Sequence, residues 1–266
     1  MLIAHEAPID IMYEVQYSTD YCYALVHLFE THPEYYTYFK SSLSQGREVL
    51  LDNSIFELKE AFDAEKYAAY IRELMPTYYI VPDVLEDSKG TINSYKNFVS
   101  TYNDLPGIKI GAVQGKTYQD IIECYKFMSE NADYIAMSFD FSWYQTIGYS
   151  ASNNETYAKL ERMCDGRKKL ITQLIADGIW NYNKPHHLLG NSLPKEMKAY
   201  KNIPNIRSVD TSNPVMAGLT GKRYIKGIGL YEKPQGLLAD NIDRLVTDEE
   251  HDIISYNIYE FRRLCH

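Results

Sequence analysis

The strongest constraint on this chain is an alternation. Short β-branched or apolar runs recur, each followed by a stretch of helical periodicity. The runs fall at residues 10–14, 48–51, 78–81, 108–113, 134–138, 187–190, 206–209 and 224–228. Between them, residues 63–74 align Tyr67, Ile71 and Leu74 on one helical face, and 118–128 align Ile121, Ile122, Tyr125 and Met128. Residues 195–200 follow Pro194, a residue suited to the first turn of a helix. Eight strands alternating with helices over 266 residues predict an α/β fold, a TIM (β/α)8 barrel forming a single domain over 1–266. An open doubly wound sheet produces the same alternation, but no strand here is followed by the glycine-rich phosphate fingerprint of dinucleotide folds. Residues 142–155, rich in Ser, Asn and aromatic side chains, are expected to form a long loop on the rim.

Other features narrow the class. No run approaches the roughly 18 apolar residues needed to span a bilayer, so no membrane association is expected. The first residues carry acids early and lack a basic segment followed by an apolar one, so they do not resemble a secretory signal. Cys22, Cys124, Cys164 and Cys265 are too scattered for a zinc cluster or a disulfide framework, which points to reduced thiols in the cytoplasm. The formal net charge of −9 excludes a uniform nucleic-acid coat. A local basic stretch remains: seven cations (Lys195, Lys198, Lys201, Arg207, Lys222, Arg223, Lys226) stand against Glu196 and Asp210, with Arg167, Lys168 and Lys169 upstream. Such a stretch fits phosphates at one face, although a solvated helix surface is the plainer reading for an arbitrary protein. The 25 tyrosines suggest no function by themselves.

In a barrel, chemistry sits where strands end, because the βα loops form the active face. Five of the expected strand ends carry informative residues: Asp52, Asp83, Gln114 with Gly115, Gly190 with Asn191, and Asp210. Each has a plainer explanation. Asp52 with Asn53 and Ser54 suits an Asx-turn or helix cap, and Asp83 lies close to the capping sequence Glu86-Asp87-Ser88. Gln114-Gly115 suits a turn, and 210–214 a polar loop. Capping does not, however, require three carboxylates at the same end of one barrel.

At these residues the sequence resembles the tRNA-guanine transglycosylase superfamily, over about residues 49–218. LLDNSIFE is similar to the segment bearing that family's general acid/base, which implies Asp52, with Phe56 as the ring that stacks on the base. VPDVLED and GAVQG resemble the segments that read the purine edge, implying Asp83 and Gln114. HHLLGNS resembles the loop that contacts the base through its backbone, near His187, Leu188 and Gly190. RSVDTSNP resembles the nucleophile segment and implies Asp210. The clustered cysteines and histidine of the tRNA enzymes' zinc subdomain have no counterpart. Val84 and Leu85 replace the residues usual after Asp83, and TSNPVMAG replaces the usual continuation after Asp210.

These departures resemble the compact, often phage-encoded branch that places 7-deazaguanines such as preQ0 into DNA. The resemblance implies base exchange by double displacement, with DNA and a free 7-deazaguanine as partners and neither metal nor cofactor. Lys195, Lys198, Arg207, Lys222 and Arg223 would contact flanking phosphates. Side-by-side His186 and His187 point to opposite faces of a strand, and neither is expected to act in catalysis. Three rivals stay open: a tRNA-directed transglycosylase without zinc, a noncatalytic partner subunit, and an unrelated barrel hydrolase acting on a small glycoside or nucleoside.

Overall fold

The computed structural model describes residues 1–139 and 141–266. Eight strands form one all-parallel sheet: β1 (Leu2–His5), β2 (Cys22–Leu25), β3 (Val49–Asp52), β4 (Tyr78–Ile80), β5 (Ile108–Val113), β6 (Tyr134–Met137), β7 (His186–Leu188) and β8 (Ile206–Thr211). Their order is β1-β8-β7-β6-β5-β4-β3-β2. Neighbours in the chain are neighbours in the sheet, and the first strand pairs with the last, Ala4 opposite Asp210. That is the order of a nearly closed α/β barrel and not of a doubly wound sheet, which reverses direction at a switch point. At the remaining seam the Asp20 N–H, two residues before β2, donates to Ile3 O at 2.8 Å.

The helices are α1 (Met12–Val15), α2 (Pro33–Ser44), α3 (Ile55–Leu58), α4 (Ala64–Leu74), α5 (Ser88–Thr101), α6 (Tyr118–Asn131), α7 (Ser142–Ile147), α8 (Glu155–Ala176), α9 (Asn213–Leu219) and α10 (Asp248–Cys265). Local sequence explains their starts. Asp63, Asp87, Thr117 and Asn154 each accept an N–H of the first turn, and Thr247 with Glu250 forms a reciprocal capping box. Strands β2, β3 and β6 are buried along their whole length, as expected where helices cover a parallel sheet. Several tyrosines combine both environments. Tyr67 is wholly buried on α4, yet its hydroxyl reaches the carbonyls of Leu51 (3.0 Å) and Ile80 (2.9 Å) at the ends of β3 and β4.

Four local expectations are corrected. Residues 10–14 are not a strand: a 3-10 turn at Ile9–Ile11 runs into α1, and buried Ile11, Met12 and Val15 have helical spacing. Residues 224–228 are not a strand either, because Gly227 and Gly229 both take positive φ and leave only an isolated bridge between Ile225 and Gly229. The first two strands are instead β1 and β2, four-residue runs too short to show periodicity. Within 142–155, α7 replaces the first part of the expected loop, and residues 194–200 form a 3-10 helix.

Contacts divide the chain into two compact units. One comprises Met1–Asp20, Ser138–Asn183 and His187–His266, and the other Tyr21–Met137 with Lys184–His186. Among the described residues, no helix is long and apolar enough to cross a membrane.

Candidate active site

Within the unit that holds β3, β4 and β5, three strand ends meet through side chains. Asp52 closes β3. Its Oδ1 accepts the Ser54 N–H, forming the expected Asx-turn, and its Oδ2 accepts the Tyr23 hydroxyl at 2.7 Å. The turn forces Ser54 to φ 61°, a left-handed conformation unusual for a side-chain-bearing residue. Phe56 follows on α3, half-buried, with the Lys59 ammonium 4.0 Å from its ring centroid.

Asp83, three residues beyond β4, does not cap α5; Asp87 does. Both oxygens of Asp83 are held instead. Asn53 Nδ2 donates to Oδ1 at 2.8 Å and Gln114 Nε2 to Oδ2 at 2.7 Å. The orientation of both amides is set by backbone donors, since Asn53 Oδ1 accepts from Ile55 N–H and Gln114 Oε1 from Glu86 N–H. Each amide nitrogen is thereby turned toward the carboxylate. Burial raises the Asp83 pKa above the usual carboxylate value, and the bonds from Asn53 and Gln114 only partly oppose this.

The other unit holds Asp210, one residue before the end of β8. Its Oδ1 receives two donors, the Gly190 N–H at 3.0 Å and His187 Nε2 at 2.9 Å. Among the described residues no hydrogen bond reaches Oδ2. On the far side of the His187 ring, Nδ1 lies 2.9 Å from Ser208 Oγ, two residues before Asp210 on the same face of β8. Gly190 takes φ 63°, which lets the chain turn its N–H back to the carboxylate. Its carbonyl and that of Leu189 accept from Arg167 at 3.1 and 3.0 Å.

Arg167 itself is wholly buried on α8 and forms a two-pronged pair with Glu196 at 2.7 and 3.1 Å. Tyr200 and Asn191 also donate to that carboxylate. Burial opposes the guanidinium charge, but the adjacent Glu196 more than offsets it and the Arg167 pKa is raised. The buried carboxylate and guanidinium therefore hold the β7–β8 connection by its backbone.

The site residues expected from sequence thus fall into two constellations. Asp83 and Gln114 are in direct contact, with Asn53 as an unforeseen third member. Asp210, His187 and Gly190 are also joined, but His187 engages through its ring and Gly190 spends its N–H on Asp210. Leu188, next to His187 in the chain, is wholly buried. Arg167 is no part of a basic surface, which its spacing already signalled: with Met163, Leu170 and Leu174 it lies on the apolar face of α8. The remaining cations are largely engaged. Lys195 pairs with Glu161 and Tyr157, Lys198 donates to Gly227 O, Lys222 pairs with Glu232 at 2.9 Å, and Arg223 lies over the Tyr256 ring. Arg207 is exposed toward the amino end of β8, away from Asp210 along the strand. Among the described residues, no three His, Cys, Asp or Glu side chains gather where they could hold a metal ion.

No family model matches the chain, and no curated protein matches it. The likeness to the transglycosylases rests on the short motifs alone.

Proposed function

We propose that this protein is a base-exchange transglycosylase that replaces guanine in DNA with a 7-deazaguanine, working in the cytoplasm. The observation that carries the reading is the asymmetry at Asp210: one oxygen is held by two donors while the other is left for chemistry. This arrangement suits a carboxylate nucleophile, fixed in orientation and with an attacking oxygen that no donor among the described residues meets. In the proposed reaction Oδ2 forms a bond to the sugar C1′ as the bond from C1′ to guanine breaks. The bonding electrons leave with the purine, which takes a proton from Asp52. The incoming base then gives a proton to Asp52 and attacks C1′, releasing the Asp210 carboxylate. Tyr23 and the Ser54 N–H hold Asp52 for both transfers.

The Asp83–Gln114–Asn53 network supports the same reading. Its carboxylate and two amides are preset before any ligand arrives, and donors and acceptors in one cluster suit the amide and amino edge of a purine. Phe56 supplies a flat face for stacking. The target nucleotide leaves the helix stack to be read in this way. DNA is chosen over tRNA from the sequence departures after Asp83 and Asp210 and from the missing zinc cysteines.

The test is release of labelled guanine from DNA and from tRNA, with free 7-deazaguanines supplied in turn. The expected result is release from DNA, coupled to base incorporation and lost in Asp210→Asn. Release from tRNA alone would transfer the reading to the tRNA-directed enzyme. Release from neither, with hydrolysis of a nucleoside or glycoside instead, would replace exchange by the hydrolase.

A further inference from the structure

His187 is wholly buried on β7, and its ring is the middle member of a row that runs from Ser208 Oγ to Asp210 Oδ1. A carboxylate oxygen only accepts, so Nε2 carries the proton in that contact. In the neutral ring Nδ1 is then an acceptor, and the Ser208 hydroxyl donates to it. The two ends of the row are therefore not equivalent: the Asp210 carboxylate, which only accepts, sets the tautomer, and the Ser208 hydroxyl, able to donate or accept, complements it at Nδ1. Strand geometry fixes the row without any loop, since Ser208 and Asp210 share a face of β8 and His187 stands on its neighbour in the sheet. The Gly190 N–H meets the same oxygen from the following connection.

Two donors on one oxygen have a directional consequence. They restrict rotation of the carboxyl group, because turning it would exchange Oδ1 for Oδ2 and break both bonds. We propose that His187 is a positioning residue for the Asp210 nucleophile, its ring anchored by Ser208 at Nδ1 so that Nε2 fixes Oδ1 and aims Oδ2. This rests on the base-exchange reading above. His187 does not touch the substrate in this scheme. It acts through Asp210, by keeping the reactive oxygen aligned and by supplying a charge-assisted bond that re-forms when the carboxylate is released.

The variants are His187→Phe, which fills the space without donating, His187→Gln, whose amide can donate from a similar reach, and Ser208→Ala. Guanine exchange kinetics, melting temperature and the 15N shifts of the His187 ring are measured together. The expected result is a fall in kcat of about 10- to 100-fold in His187→Phe, the scale of one hydrogen bond to a charged group. KM stays within about twofold. His187→Gln recovers a large part of the loss, and Ser208→Ala shows a smaller kcat loss with a shifted ring signature. A structural role alone would lower the melting temperature of His187→Phe without this kcat-only loss or its rescue by Gln. Full kcat in His187→Phe, with Asp210→Asn inactive, would overturn the positioning role and leave base exchange standing. If the wild-type protein exchanges no base, the reading itself fails. The ring shifts then decide the geometry separately: a signature unchanged in both Ser208→Ala and Asp210→Asn would overturn the row as well.

Discussion

Asp83 and Asp210 both lie near the carboxyl ends of parallel strands, and both are buried, at 2% and 5% exposure. Their hydrogen bonds are arranged in opposite ways. Asp83 has one amide on each oxygen, each amide locked in turn by a backbone N–H, so the whole group is a rigid polar surface. Asp210 has both donors on a single oxygen. A carboxylate held symmetrically suits recognition, because its acceptors are fixed in space and its charge is shared between two bonds. One held asymmetrically suits attack, because it keeps an oriented oxygen with no partner to displace. In the proposed function the same side chain is thus given two roles by its neighbours.

The most severe challenge to this contrast is kinetic. Asp210→Asn should lower exchange by about 10³-fold or more in kcat while the melting temperature holds. Asp83→Asn should act mainly on KM for the incoming base. Steady-state kinetics on both variants would reverse the contrast if Asp83→Asn had the larger effect on kcat.

The next effect is on stability and concerns the support behind Gly190. Arg167→Met leaves Glu196 buried without its cation, and should cost about 3–5 kcal/mol in urea unfolding. The double change Arg167→Met with Glu196→Leu should recover part of that cost, since no charge is then left unpaired. A single variant as stable as wild type would mean that the β7–β8 connection does not depend on the pair.

A smaller effect sharpens the Asp83 side. Burial raises its folded pKa above the ordinary 3.8, so the unfolded chain ionises first as pH increases. The stability associated with protonated Asp83 is complete below the unfolded value and is lost as pH rises through the folded one. The loss is at most about 1.4 kcal/mol for each tenfold difference in proton affinity between the folded and unfolded states. Unfolding free energies across that window should therefore move in favour of Asp83→Asn relative to wild type as pH increases. A difference independent of pH would show that the amide bonds fully compensate burial. The smallest effect is expected at the surface, where Lys222→Ala removes the pair with Glu232 and should change stability by less than about 1 kcal/mol. Any larger loss, or a flattened salt dependence of DNA binding, would show that Lys222 does more than pair with its neighbour.

How far the sequence speaks differs between elements. Residues 108–113 are the strand expected, and 49–52, 78–80, 134–137 and 206–211 differ only at their ends, because β-branched runs bounded by turn residues have few alternatives. The segments 10–14 and 224–228 mislead because five residues cannot separate a period of two from one of 3.6, and because glycine permits turns that hydrophobicity does not register. Asp52, Asp83, Gln114 and Asp210 stand out as polar residues closing apolar runs. Asn53, Ser208 and Glu196 carry no such signal, since each is a common residue whose importance lies in what another strand or helix brings beside it.

The sequence by itself determined the alternation, the helix caps and the polar residues at strand ends, all of which depend on neighbours within a few positions. The tertiary structure decided which oxygen of each carboxylate is occupied, that His187 engages through its ring, and that Arg167 lies inside. Those outcomes depend on the pairing of β3, β4 and β5, on the register of β8 and on the packing of α8, which join residues tens of positions apart. No local pattern encodes such distances; burial with hydrogen bonding selects among them only once the chain has closed on itself.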